Sequence, residues 1–198
     1  MFTGIIQSVM PVLAASDKEA CLVVRLKKPT GWKVVLGQSI TVDGICSTVT
    51  KVGASFFEVE YMPETLDKTT AGTMAAGRWV NLERSLTLRD YIDGHLVSGH
   101  VDARGKTIRV EEEDNTKRIS FEAPQVLAKY IAKKGSITVN GISLTVADVK
   151  KNVFTVALIP YTLEHTNLGL IQKGDAVNIE IDTVARYVER MLGKDKDN

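Results

Sequence analysis

A long internal repeat constrains the fold of this chain more than any other feature. The segment VDGICSTV at residues 42–49 returns as VNGISLTV at residues 139–146. Residues 39–83 align without a gap to residues 136–180, and 20 of these 45 positions are identical. Repeats of solenoid proteins are only about 20–50 residues long and stack in larger numbers. The repeat therefore predicts a tandem duplication of a whole small domain, with the boundary just before Gly94.

Each half of the chain has the pattern of short antiparallel strands. Asp43-Gly44 and Asn140-Gly141 lie between β-branched residues, which is typical of two-residue type I′ hairpin turns. Several short strands separated by turns favour a barrel or a sandwich, and periodicity alone does not distinguish the two. Further strands are predicted at residues 56–62, 79–85, 153–159 and 176–182.

Two segments have the apolar spacing of amphipathic helices. The first is residues 123–135, which end at a glycine, and the second is the C-terminal stretch around residues 184–192. The terminal helix has no counterpart between the two halves, and its apolar stripe must be buried somewhere. It either docks on its own domain or associates with other copies of the chain.

Composition and charge argue against several classes of function. The 25 basic and 24 acidic residues nearly cancel, which argues against nucleic acid or an acidic membrane as the main partner. No apolar run is long enough to span a membrane, and the N-terminus lacks the features of a signal peptide, so we expect a cytoplasmic protein. The three histidines and two cysteines do not have metal-ligand spacing, so no metal site is expected.

The two copies differ where side chains could do chemistry. Cys46 of the first copy corresponds to Ser143, and His100 of the second corresponds to Ile5. This division predicts one functional unit assembled from two unlike sites. Cys46 could act as a nucleophile and His100 as an acid or base, and the alternatives are a buried apolar cysteine and a structural histidine. Asp182 likewise has no acidic counterpart in the first copy.

Hydroxyl and thiol groups recur on one face of the hairpin strands. Ser143 and Thr145 are two residues apart on a predicted strand and therefore share a face, as do Cys46 and Thr48. These pairs either line a polar pocket or form an ordinary solvent-facing row.

Six motifs follow one another along the chain. They are MFTGII at residues 1–6, the DGICSTV and NGISLTV pair, GHLVSGHVD at 94–102, LIPYTLEHTNLG at 158–169 and VNIEID at 177–182. Taken together, these motifs resemble those of the riboflavin synthase family, whose chains contain two lumazine-binding repeats. The resemblance covers residues 1–192 and leaves the charged C-terminal tail unmatched. It departs at Ser47, where the family often has leucine.

The resemblance implies an all-β fold of two tandem homologous six-stranded Greek-key barrels plus a C-terminal α-helix. Residues 1–93 would form the N-terminal lumazine-binding barrel and residues 94–183 the C-terminal one. Residues 184–198 would form an oligomerisation helix and a charged tail, in a homotrimer.

The implied reaction transfers a four-carbon unit between two molecules of 6,7-dimethyl-8-ribityllumazine. The products are riboflavin and 5-amino-6-ribitylamino-uracil, and no cofactor or metal is needed. One substrate would lie in an N-terminal barrel and the other in the C-terminal barrel of a neighbouring subunit. A reaction that uses two copies of one compound suits two copies of one binding domain. The upstream lumazine synthase is a candidate partner.

The resemblance also implies the residues of each site. Lys134 would reach the ligand of another subunit. Cys46 and His100 would serve in proton transfer or nucleophilic assistance, with Ser143, Thr145 and Asp182 positioning and relaying. The first ligand would be held by Gly4, Ile5, Ile6, Cys46, Ser47, Thr48, Glu60, Tyr61, Met62, Pro63, Glu64 and Thr65. The second would be held by Gly99, His100, Val101, Ser143, Leu144, Thr145, Ala157, Leu158, Ile159, Pro160, Tyr161 and Thr162.

Three other functions are compatible with a chain of this kind. The first is a non-catalytic lumazine or flavin carrier of the same fold, which would lack the cysteine and histidine at positions 46 and 100. The second is a flavin reductase-like barrel, but no nucleotide-binding half is present. The third is a purely structural β-domain, which would not need unlike polar groups in its two copies. The sequence therefore favours the enzyme.

Overall fold

The computed structural model of the chain describes residues 1–193, without the side chain of Glu113. It contains two closed antiparallel barrels of six strands each. The predicted tail after Gly193 lies outside the described residues. The first barrel has β1 (Ser8–Lys18), β2 (Cys21–Lys27), β3 (Ser39–Val42), β4 (Ile45–Val52), β5 (Phe56–Tyr61) and β6 (Trp79–Arg84). The second has β7 (Ala103–Glu113), β8 (Thr116–Glu122), β9 (Ser136–Val139), β10 (Ile142–Lys150), β11 (Val153–Leu158) and β12 (Ala176–Ile181).

The two barrels have the same circular strand order, β1-β2-β5-β4-β3-β6 and its repeat equivalent, and each encloses its own apolar core. In the described part of the chain, three α-helices accompany them: α1 (Pro63–Lys68), α2 (Pro160–His165) and the C-terminal α3 (Thr183–Leu192). The predicted all-β fold of two six-stranded barrels with a terminal helix is confirmed. None of the helices within residues 1–193 is long and apolar enough to cross a membrane.

The predicted helix at residues 123–135 is wrong. The structure has only a short 3₁₀ segment there, Gln125–Tyr130, closed by bonds such as Leu127 N–H to the Pro124 carbonyl. Between Gln125 and Ile131, only Leu127 and Ile131 are buried against the second core, while Val126 is exposed. The segment therefore covers one end of the barrel with two anchors, and it does not bury the continuous stripe that would sustain an α-helix.

The two predicted hairpin turns meet at the contact between the barrels. Asp43 and Gly44 have φ of 49° and 80°, and Asn140 and Gly141 have φ of 47° and 80°, as type I′ turns require. The tips are packed backbone to backbone, because a Cβ on Gly44 would lie 2.6 Å from the Gly141 nitrogen. Glycine is needed at both tips for this approach as well as for the turn.

Buried asparagines join the barrels around these turns. Asn81 Nδ2 donates to the Asn140 carbonyl at 2.9 Å, and Asn178 Nδ2 donates to the Asp43 carbonyl at 2.8 Å. Asn81 and Asn178 occupy equivalent repeat positions and are fully buried, so each barrel satisfies the turn backbone of the other. This polar contact fixes how the two barrels sit against one another.

One residue breaks the symmetry of this contact. Asp43 occupies the position of Asn140 and is completely buried. Its carboxylate accepts from Asn81 N–H and from Asn167 Nδ2, both at 2.8 Å, and Arg78 Nη2 lies 3.4 Å away. Burial raises the pKa of Asp43 to about 6, although the Arg78 guanidinium opposes the shift.

The raised pKa predicts a pH-dependent stability. Between about pH 4 and pH 6 the folded protein keeps a proton on Asp43 that the unfolded chain releases, so stability from this group is lost as pH rises. The substitution Asp43→Asn copies the second barrel and removes this dependence. We expect the unfolding free energy of the wild type relative to Asp43→Asn to fall by at most about 3 kcal/mol from pH 4 to pH 7. Urea unfolding of both proteins measures the difference, and a pH-independent value would contradict the prediction.

Candidate functional site

Two chain segments cross from one barrel to the other, and they are called here the first arm (residues 1–5) and the second arm (residues 96–100). The first arm precedes β1 but bonds to the second barrel, where Ser143 N–H donates to the Gly4 carbonyl at 2.8 Å. The second arm precedes β7 but bonds to the first barrel, where Cys46 N–H donates to the Gly99 carbonyl at 2.8 Å. Where the arms pass each other, Phe2 and Val97 form an antiparallel bridge.

The glycine in each arm is required by a close approach. Gly4 and Gly99 have φ of 76° and 79°. A Cβ on Gly4 would lie 2.7 Å from the Ser143 Cβ, and a Cβ on Gly99 would lie 2.8 Å from the Cys46 Cβ. Each glycine therefore lets an arm lie directly on the strand position at which the two copies differ chemically.

Two buried carboxylates hold the arms in place. Glu83 accepts from Thr3 N–H at 2.7 Å, from the Thr3 hydroxyl at 2.8 Å and from Gly4 N–H at 3.0 Å. Glu180 accepts from Ser98 N–H, the Ser98 hydroxyl and Gly99 N–H at 2.7, 2.6 and 3.0 Å. Burial raises the pKa of Glu83, while these hydrogen bonds oppose the shift. Glu83 and Glu180 are identical residues at equivalent positions of the repeat. The sequence alone assigned no role to them.

The crossing of the arms corrects the grouping of residues expected from the sequence. The triplet that begins at Gly4 was expected at the first barrel, but it contacts the second. The triplet that begins at Gly99 was expected at the second barrel, but it contacts the first. The second arm, which carries His100, therefore lies beside Cys46, whereas the sequence assigned the two residues to different barrels. Alignment of the repeat shows which residues correspond, but it does not show that the equivalent arms have been exchanged.

The first site lies where β4 and β5 separate. Their ladder ends at the Val49–Val59 pair, and beyond it Cys46 pairs with β3 while Glu60 pairs with β2. The place beyond this pair, where the two strands are no longer hydrogen-bonded to each other, is called here the first slot. Cys46 is half-buried beside the second arm, and Thr48 is exposed on the same face of β4. This face, the second arm and the residues that follow β5 surround the first slot.

The second barrel has the equivalent place, called here the second slot, between β10 and β11. Their ladder ends at the Val146–Val156 pair. Ser143 there bonds to a histidine that the sequence did not mark as a site residue, because its hydroxyl lies 2.7 Å from His95 Nδ1. Thr138 Oγ1 lies 3.2 Å from His95 Nε2. No position of the first half aligns with His95, so comparison of the copies could not single it out.

The environment of His95 keeps its ring uncharged near neutral pH. Burial lowers the pKa of His95, and the nearby carboxylates of Asp182 and Glu180 oppose this shift. A neutral imidazole has one donor and one acceptor nitrogen, so it can accept a proton from a hydroxyl group on one side while donating on the other. Asp182 itself caps α3 by accepting from Val184 N–H at 2.9 Å.

Several predicted site residues line the rims of the slots. Met62 and Ile159 are each 59% exposed and directly precede the prolines that begin α1 and α2. In α1, Glu64 forms an ion pair with Lys68 at 2.6 Å, whereas in α2 the equivalent Tyr161 stacks on His165 with ring centres 4.0 Å apart. The remaining rim residues that are exposed or half-buried are Glu60, Pro63, Thr65, Ala157, Pro160 and Thr162.

Other predicted site residues are placed differently. The side chains of Ser47, Tyr61 and Leu158 point into the barrels and are at most 2% exposed, so they can offer a ligand only backbone groups. Lys134 is exposed, has a φ of 69° and donates its N–H to the Val146 carbonyl beside the second slot. Ile5 and His100 are exposed on the arms next to Gly4 and Gly99.

Comparison with known proteins agrees with this architecture. The family model for the lumazine binding domain matches residues 3–85 and 98–182. The chain is 41% identical to the riboflavin synthase of Brucella abortus (strain 2308), over 96% of this chain and 98% of that protein. It is 37% identical to the riboflavin synthase of Bacillus subtilis (strain 168), over 100% of this chain and 93% of that protein.

Solved structures of similar fold include those of LumP. The complex of LumP with 6,7-dimethyl-8-(1'-D-ribityl) lumazine superimposes with a TM-score of 0.84 at 21% identity, covering 91% of this chain and 99% of LumP. The LumP complex with riboflavin gives a TM-score of 0.85 at 22% identity, with the same coverage. The two barrels and the two matched domains make this chain a two-barrel protein built from lumazine binding domains. Within this class, the chain belongs to the riboflavin synthase family.

The close approach of the second arm predicts an effect of adding one methyl group. Gly99→Ala adds a Cβ against Cys46, whereas Gly77→Ala places its Cβ in open space at a similarly positive φ of 89°. Both variants place alanine in the left-handed backbone region, which is unfavourable. Only Gly99→Ala also forces a Cβ against Cys46. We expect Gly99→Ala to lose about 1–3 kcal/mol more unfolding free energy than Gly77→Ala. Equal losses in urea unfolding would show that the arm has room to move away from Cys46.

Proposed function

We propose that this chain catalyses the transfer of a four-carbon unit between two molecules of 6,7-dimethyl-8-ribityllumazine. The products are riboflavin and 5-amino-6-ribitylamino-uracil, with no cofactor. The observation that carries the proposal is the pair of equivalent slots with unlike chemistry. The first combines Cys46 with His100, and the second combines Ser143 with His95. Identical substrates fit a duplicated scaffold, and unlike side chains let one substrate act as donor and the other as acceptor.

Each slot has the groups that a ribityl-substituted pteridine would need. Exposed apolar side chains at the rims, Met62 and Ile159, suit contact with a flat ring. Strand edges beyond the end of each ladder offer backbone groups to the pyrimidinedione. The hydroxyl groups of Thr48 and Thr145 lie on the outer faces of β4 and β10, where they can bond to the ribityl chain. Holding two such rings together makes the bond-forming step effectively intramolecular.

The chemistry requires proton removal at one ring and nucleophilic assistance at the other. The C7 methyl group of one lumazine is acidic, and its proton must be removed before carbon–carbon bond formation. At the first slot, Cys46 and His100 lie on adjoining backbone and serve in proton transfer or nucleophilic assistance. At the second slot, neutral His95 bonds to Ser143 and can relay a proton from its hydroxyl. Asp182 holds the start of α3 beside this pair.

The C-terminal helix supports assembly into a homotrimer. The polar side of α3 faces its own second barrel, where Arg186 bonds to Asp102 at 2.9 Å and Glu189 forms an ion pair with Lys129. The opposite side exposes an apolar stripe formed by Val184, Tyr187, Val188, Met191 and Leu192. In our proposal, the stripes of three chains pack together, which brings the first slot of one subunit to the second slot of its neighbour. The exposed Lys134 then reaches the ligand across that interface.

The proposal extends to the setting of the enzyme. A cytoplasmic protein that consumes lumazine would receive it from the enzyme that makes it, lumazine synthase.

The second candidate function is a carrier of lumazine or flavin, which the likeness to the LumP complexes supports. The presence of Cys46 and His100 at one site favours the enzyme, because a carrier has no use for a thiol and an imidazole beside the bound ring.

Conversion of the lumazine alone tests the function. The purified chain is incubated with 6,7-dimethyl-8-ribityllumazine, and riboflavin is followed by absorbance. We expect turnover without added cofactor, and a decrease of about 10-fold or more in Cys46→Ser and His100→Gln. Cys21→Ser makes the same thiol-to-hydroxyl change on β2 and should retain most of the activity. Binding with altered fluorescence but no riboflavin would identify a carrier.

Charge placed on the exposed stripe of α3 tests the assembly. The double variant Val188→Glu/Met191→Glu would bury two carboxylates in the proposed helix bundle, which is strongly unfavourable. We expect its mass, measured by size exclusion with light scattering, to fall from three chains to one while its circular dichroism is retained. Turnover should fall with it, because the facing slots separate. Arg190→Gln, outside the stripe, should remain trimeric, and a monomeric wild type would refute the proposal.

A further inference from the structure

The first barrel contains a buried polar pair where the second barrel is apolar. Ser47 and Tyr61 occupy the repeat positions of Leu144 and Leu158. The Ser47 hydroxyl lies 2.8 Å from the Ile45 carbonyl and 2.9 Å from the Tyr61 hydroxyl, and both side chains are only 2% exposed. Because Ser47 donates to the carbonyl, Tyr61 donates to Ser47. Burial raises the pKa of Tyr61, so its hydroxyl keeps this proton at every physiological pH.

This pair lies where the backbone ladder of the first barrel ends. Ser47 is two residues beyond Val49 on β4, and Tyr61 is two residues beyond Val59 on β5. The side-chain bond therefore bridges the two strands at the inner end of the first slot, where the backbone no longer does. In the second slot, Leu144 and Leu158 occupy this place, and they can make only non-directional contacts.

The neighbours of the pair connect it to the chemistry. Cys46 directly precedes Ser47 and faces the second arm, and Met62 directly follows Tyr61 at the rim of the first slot. Alternation along a strand places Cys46 on the outer face when Ser47 faces the core. A fixed separation between Ser47 and Tyr61 consequently fixes the separation between Cys46 and the rim against which a ring would lie.

We propose that Ser47 and Tyr61 are positioning residues that set the width of the first slot and hold Cys46 in register with the substrate ring. This inference rests on the function proposed above. A hydrogen bond constrains distance and direction, whereas two leucines can slide against one another. The pair therefore makes the first slot the more rigid of two otherwise equivalent sites. It also explains why serine and tyrosine together replace the two leucines of the second barrel, since each supplies the hydrogen-bond partner of the other.

Two variants separate a positioning role from simple packing. Tyr61→Phe removes only the hydroxyl and retains the buried ring. Ser47→Leu/Tyr61→Leu copies the apolar arrangement of the second slot. This second variant keeps the proposal testable if Tyr61→Phe folds poorly. Thr155→Val is the matched control, because Thr155 bonds to the Ser120 hydroxyl at 2.8 Å across two strands of the second barrel, at a position where β11 is still paired on both sides.

The first measurement is steady-state turnover of 6,7-dimethyl-8-ribityllumazine by the full chain. We expect Tyr61→Phe and the double leucine variant to lower kcat by about 5- to 10-fold, which corresponds to one misplaced hydrogen bond. Thr155→Val should lose a similar amount of thermal stability but keep its kcat. A Tyr61→Phe enzyme with unchanged kcat and KM would overturn the proposal, because its hydroxyl would then serve stability alone.

The second measurement is equilibrium titration with riboflavin, which needs no turnover. The two slots should appear as two classes of site in the wild type, and Tyr61→Phe should weaken only one of them. Equal weakening of both classes, or of neither, would refute a role at the first slot. If the wild type fails to convert lumazine, the proposed function fails, but a selective loss of one riboflavin class would still support the positioning role.

Discussion

The exchange of the two arms is the constraint on which both candidate sites depend. Each arm lies against a strand of the opposite barrel, and glycine allows the contact because any Cβ would overlap the strand residue. The buried carboxylates of Glu83 and Glu180 satisfy the N–H groups of the arms, so the exchange is bonded and not merely packed. One consequence is that neither barrel can form its site alone, since each borrows an arm from the other.

Duplication followed by local divergence gives this protein two candidate sites with equivalent strand frameworks and unlike side chains. The shared elements are the type I′ turns, the asparagines that bond across the barrel contact, and the end of each strand ladder. The divergent elements are concentrated at the slots. The first slot has the Cys46 thiol, the ion pair of α1 and the Ser47–Tyr61 hydrogen bond. At the equivalent positions, the second slot has the Ser143 hydroxyl, the aromatic stack of α2 and two leucines. A reaction between two molecules of one compound needs this combination, because the sites must accept the same ligand and treat it differently.

The barrel contact itself is also asymmetric. Asp43 brings a buried carboxylate to a place where the second copy has an amide, and the surrounding donors and Arg78 only partly offset its burial. Because Asp43 is fully buried and its pKa is raised, we expect this contact to respond to pH in a way that the apolar cores do not. The apolar stripe of α3, by contrast, faces away from its own barrel, which leaves the trimer as the proposed place for its burial.

Only the resemblance to a known family chose two barrels over a sandwich, whereas the sequence by itself determined the repeat, the hairpin turns and the residues at which the copies differ. These features are local or come from comparing aligned positions, and local signals such as Asp-Gly between β-branched residues have a direct physical cause. Tertiary structure alone decided which arm meets which barrel, brought His95 to Ser143, reduced the predicted helix at residues 123–135 to a 3₁₀ turn, and paired Ser47 with Tyr61. Each of these depends on contacts between residues that are distant in sequence. Local sequence patterns do not show which of these residues will meet in the folded chain.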